Sequence, residues 1–81
     1  MGDANYLTLL TAKIDLICNK LEELKDFSEM VERFLSETKL STSERIFVLQ
    51  CLSKVYELRI DFLTNVQKLN NTRNDFLLSR F

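Results

Sequence analysis

The feature that most constrains this chain is an absence: after Gly2 it holds no glycine, and it holds no proline anywhere in its 81 residues. Those are the residues that most often turn a chain or break a helix, so the backbone has few places to change direction. One stretch, residues 37–47 (ETKLSTSERIF), reads as a joint. Thr38 weakens helix propensity there, and Ser41 to Glu44 reads Ser-Thr-Ser-Glu, the capping box that satisfies the free amides at the start of a new helix. Leu40, just before that cap, is placed to staple against Arg45 or Ile46 just inside the second helix, with Ile46 the better candidate. A connection this short joins antiparallel neighbours. The sequence therefore predicts an all-α fold, a hairpin of two long helices in a single domain spanning residues 1–81, with a helix from about residue 4 to 37 and a turn at 38–42.

The first arm carries Leu7, Leu10, Ile14, Ile17, Leu21, Leu24, Ser28, Val31 and Leu35 at alternating spacings of three and four. This is a heptad stripe broken only by a serine. The second arm, from about residue 43, reads Ile46, Phe47, Val48, Leu49, Leu52, Val55, Tyr56, Phe62, Leu63, Val66 and Leu69, again at helical spacing. Its end has two readings. Residues 70–75 (NNTRND) are rich in cap and turn formers, so the helix either stops near 70, with Thr72 capping a short final turn, or runs on to about 80 through FLLSRF.

The width of the apolar faces carries the main functional expectation. Beside its heptad stripe the first arm has Leu9, Ala12, Leu16, Phe27, Met30 and Phe34, which widen its apolar arc to roughly 220° at 100° per residue. The second arm is similarly broad, with Gln50, Lys54, Glu57, Asp61, Lys68 and Thr72 confined to a narrow polar side. A helix facing a bundle core needs an arc of about 100° or somewhat more, and two helices alone would leave large apolar patches wet. The expected partner is thus a second copy or another helical protein, most simply as a homodimeric four-helix bundle. Phe27, Met30, Phe34, Phe47 and Tyr56 are expected to gather near the turn. Leu9, Leu16, Phe62, Leu63, Phe76, Leu77 and Phe81 complete the candidate interface.

Arg59 sits inside the second arm's apolar arc, between Leu52 and Val66. Two roles fit it: an interface ion pair with Glu23, which would set register more than stability, or a stem laid on apolar surface with its head in water. Arg73, on the same arc, reads as a helix-end residue.

Charge is divided unevenly: residues 1–40 hold eight acids and five bases (5 − 8 = −3), and residues 41–81 hold six bases and four acids (6 − 4 = +2). The arms are complementary, which favours packing them together and leaves no basic footprint for nucleic acid. Lys13, Lys20, Lys54 and Lys68 face outward with acids mixed among them, and the first arm's acidic polar face does not suit an anionic membrane surface. There is no histidine, no glycine-rich phosphate loop and no Gly-x-Ser-x-Gly elbow. Glu22, Asp26 and Glu29 read as a solvated face, and the inward Glu-x-x-His pairs of a di-iron bundle do not occur. No enzyme, no cofactor, no metal and no small-molecule substrate are expected.

Cys18 and Cys51, set far apart by a hairpin closing near residue 40, cannot bridge, so they read as thiols of a reducing compartment. The N-terminus lacks a basic secretory region, and Tyr6 stands where a myristoylation motif needs Ser or Thr. A cytoplasmic protein is the expectation. In length and helix layout, though in no shared motif, the plan resembles small helical-hairpin proteins such as plasmid copy-control RNA-binding dimers and the co-chaperones of type III secretion needle subunits. These imply two further readings, a nucleic-acid regulator and a subunit of a secretion apparatus. The reading that follows from the residues themselves is a non-catalytic interaction module: an adaptor, assembly factor, small chaperone subunit or inhibitor.

Overall fold

A computed structural model describes residues 2–80, and in it the chain forms two α-helices, α1 (Gly2–Glu37) and α2 (Thr42–Arg80). They pack side by side as a hairpin measuring 59 × 14 × 14 Å. At 1.5 Å per residue, the 39 residues of α2 rise about 58 Å, so this one helix runs the full length of the rod. α2 passes through residues 70–75 without a break. Thr72, instead of capping a new turn, donates its hydroxyl back to the Lys68 carbonyl at 2.9 Å, as a mid-helix threonine does. Tertiary contact outweighs weak propensity in this stretch. Arg73 donates to Thr11 Oγ1 at 3.3 Å, and Tyr6 and Phe76 stack with ring centroids 4.9 Å apart.

The turn is built as its residues dictate. Ser41 N–H donates to Glu44 Oε1 at 3.0 Å, and Glu44 N–H donates to Ser41 Oγ at 3.2 Å. Both halves of the capping box are therefore made, and Arg45 N–H closes the first helical turn on the Ser41 carbonyl at 2.9 Å. The Ser41 backbone amide, and then its hydroxyl, hold the Glu44 carboxyl below its ordinary value of 4.5. Because the folded value is depressed, this contribution to stability is present above 4.5 and is lost as pH falls through the folded value. Ser41→Ala is expected to cost about 1 kcal/mol, read as a lower midpoint in thermal circular dichroism. Glu44→Gln should flatten the acid side of the stability profile. The staple differs from the expectation: Leu40 lines a cavity with Phe34, Phe47 and Val48, while Ile46 stays exposed outside it. A residue two steps beyond the cap's glutamate points away from the joint, and Phe47 turns toward it.

The seam follows the heptad stripe. Leu10, Ile14 and Ser28 of α1 and Leu52 of α2 are buried, and every other stripe residue of α1 is half-buried. On α2 the matching line runs through Val48, Leu52, Val55, Arg59, Phe62, Val66, Leu69, Arg73 and Phe76, at spacings of four and three. Ser28, the break in the α1 stripe, is 2% exposed and lies opposite Arg59, whose Nη1 donates to Ser28 Oγ at 3.4 Å. The Ser28 hydroxyl in turn donates to the Lys25 carbonyl at 2.8 Å. A small hydroxyl thus makes room for a long side chain in the same layer.

That pairing corrects the expected partner of Arg59, which is Ser28 and not Glu23. The cap at Ser41 starts α2 later than a hairpin centred on residue 40 would. Arg59 consequently meets α1 five residues (28 − 23) nearer the turn. Arg73 is likewise corrected: it is a half-buried seam residue, held by Thr11 and by Asn70 Oδ1 at 3.0 Å. At the open end Arg80 and Asp3 form a 3.0 Å ion pair, with the guanidinium 5.0 Å from the Phe76 ring centroid. Both partners are more than half exposed, so it contributes under about 1 kcal/mol.

Candidate docking surfaces

Each helix carries a second stripe of side chains beside the seam, and the two stripes are of different kinds. On α1 it consists of the residues that come one position before each seam residue, among them Leu9, Leu16, Phe27, Met30 and Phe34, all exposed. Leu9 is 69% exposed, although a leucine at a heptad-like spacing is the kind of residue a bundle buries. On α2 the apolar line begins at Ile46 and then comes one position after the seam residues, at Leu49, Tyr56, Ile60 and Leu63. With Ser53, Gln67, Asn70, Asn74 and Leu77 it runs the length of the helix without one charged residue.

In an antiparallel hairpin these two lines lie on opposite flanks, as the contacts between helices show. Tyr56 donates its hydroxyl to Glu32, which places it on the flank where α1 presents its acids. Phe34 and Phe47 line one cavity on the other flank, and Lys13 lines a depression there with Asn65 and Lys68. The expected cluster at the turn is therefore divided: Phe27, Met30, Phe34 and Phe47 share a flank, and Tyr56 belongs to the opposite one. The bond to Glu32 raises the Tyr56 phenol above its ordinary 10.0, aided by burial and by the Glu32 charge. That contribution is present below pH 10 and is lost as pH rises through the folded value. The Arg59 guanidinium stands 5.7 Å from the same ring, so one seam arginine touches both a buried hydroxyl and an exposed aromatic.

Of the other candidate interface residues, Leu63 is exposed on the uncharged line of α2, whereas Arg59, Phe62, Phe76 and Leu77 are half-buried. Phe62 and Phe76 lie on the line that faces α1, and Phe81 lies outside the described residues. The sequence reading missed Leu58 and Ile60, 44% and 62% exposed. Their signal was available: Ile60 follows a seam position by one and continues the line of Leu49, Tyr56 and Leu63.

Cys18 and Cys51 are free and exposed. Among the described residues no three His, Cys, Asp or Glu side chains group as metal ligands, and no helix is long and apolar enough to cross a membrane. The chain matches no family model, no curated protein and no solved structure.

Proposed function

We propose that this chain is a non-catalytic protein–protein interaction module, a helical hairpin that supplies part of a larger bundle and is covered by a second copy of itself or by the helices of another protein. The observation that carries this reading is surface. A compact monomer of 9.5 kDa exposes about 5,050 Å², whereas this chain exposes 6362 Å². The excess of roughly 1,300 Å² exceeds the 800 Å² or so that each partner contributes to a standard interface. The radius of gyration agrees, at 18.3 Å against about 12 Å for a compact domain of this length. Much of the surplus is apolar: among the described residues fourteen large apolar side chains are exposed, against three buried ones. A lone pair of helices with so little interior is marginal in water.

The test is sedimentation equilibrium over a wide concentration range, with helicity followed by circular dichroism on the same samples. Association, or weak helicity that a helical partner restores, is the expected result. A strongly helical monomer that melts cooperatively and ignores concentration would overturn the reading.

A further inference from the structure

We infer that the flank bearing Phe27 and Phe34 closes on the same flank of a second copy, with the two hairpins antiparallel and related by a two-fold axis perpendicular to the rods. This rests on the interaction reading above and gives it a partner, a face and a register.

A two-fold interface must be self-complementary: if residue i meets j, then j meets i. Read in that way, the second line of α1 is a palindrome of character. Leu9 pairs with Phe34, Leu16 with Phe27, and Lys20 with Glu23, all about one midpoint between residues 21 and 22. Lys13 falls opposite Met30, where its stem can lie on the thioether while its ammonium reaches water. The same flank of α2 holds Lys54, Asp61, Lys68 and Asp75 at intervals of seven, with alternating sign. Reversed on itself, that line pairs Lys54 with Asp75 and Asp61 with Lys68 about a midpoint between residues 64 and 65.

One axis can serve both helices only if those midpoints lie level in the hairpin, and they do. The mean position of 21.5 and 64.5 is 43. The contacts that bridge the helices have means of 42 for Thr11 with Arg73 and 43.5 for Ser28 with Arg59. Two charge and apolar patterns, on different helices, thus point to one axis. Each lies about 100° round its helix from the seam, close to the right angle that a square four-helix bundle requires.

The alternatives fit less well. Parallel pairing on this flank lays α1 against α2 of the second copy, and with the levels that Thr11–Arg73 and Ser28–Arg59 set it brings Lys20 near Lys68 and Glu23 near Asp61, like charges that select against the orientation. Pairing on the opposite flank sets Asp15, Glu22, Glu29 and Glu32 of the two α1 helices together. The inferred dimer also leaves the uncharged line of α2 outside the contact, free for a further helix.

The experiment uses the full chain with Cys18→Ser and Cys51→Ser, both exposed positions, and adds either Leu16→Cys or Phe27→Cys. Under mild oxidation the mixture of the two variants should form the mixed disulfide in preference to either homodimer, and sedimentation should show a dimer. A charge swap gives a second readout: Lys20→Glu and Glu23→Lys should each weaken association roughly tenfold, and an equimolar mixture of the two should recover it. Homotypic disulfides in place of the mixed one would overturn the antiparallel arrangement and leave the interaction reading intact. So would a weakly helical monomer, since the covering helices would then belong to another protein. A cooperative, highly helical monomer would overturn both.

Discussion

Leu52→Ala is expected to lower the unfolding free energy of the chain by about 2–5 kcal/mol, which is most of what a domain this small has to lose. Leu52 is the one buried side chain that α2 contributes to the seam, and only Leu10 and Ile14 are comparably buried among the apolar residues of α1. With so few interior side chains, no neighbour can collapse into the cavity without opening another layer. Chemical denaturation followed at 222 nm reads the effect directly. The matched control is Ile60→Ala, which removes a side chain 62% exposed and should change the stability of the isolated hairpin by no more than about 0.5 kcal/mol. Equal losses at the two positions would mean that the seam does not hold the helices together.

The second large effect is expected in association. Phe27→Glu together with Phe34→Glu should raise the dissociation constant at least a hundredfold, about 3 kcal/mol, because each aromatic acts twice in a symmetric dimer and buried aromatic anchors commonly carry 2 kcal/mol or more. Both rings are 45% exposed in the hairpin, so helicity at high concentration should survive the change. A sedimentation series with parallel circular dichroism separates the outcomes. Unchanged association would remove this flank from the interface, and lost helicity in every sample would show that the rings support the hairpin itself.

The fold was legible where a pattern repeats. Nine positions of α1 alternate by three and four, and none of them is exposed in the structure. The joint was legible because a capping box needs only four consecutive residues, and both of its reciprocal bonds are present. Register was not legible to better than about a turn, since a loop of a few residues can place the axis at 40 or at 43 without changing either helix. That small difference moved Arg59 from Glu23 to Ser28. Side-chain partnership failed for the same reason at Arg73, which looked terminal in a stretch with three asparagines and is instead held by Thr11 across the seam. The serine in the stripe was the clue to both arginines, because a small residue in a heptad line often marks a large one opposite.

The widths of the apolar faces were also legible, but their division between flanks needed the second helix in place. Tyr56 and Phe47 are both aromatic, both exposed and nine residues apart. At 100° per residue that spacing is half a turn, and the contacts with α1 say which flank each takes: Tyr56 meets Glu32, and Phe47 shares a cavity with Phe34.

The Asp3–Arg80 pair has a mechanical consequence. Because these two residues lie 3.0 Å apart at one end of a 59 Å rod, tension applied through them loads the hairpin as a zipper and not in shear. Each seam layer would then bear the whole load in turn, first the Tyr6–Phe76 contact, then Thr11 with Arg73, then Ser28 with Arg59. In the proposed antiparallel pair the tethered end of each rod would be clasped by the turn of the other, so peeling one hairpin would require prying its neighbour open as well.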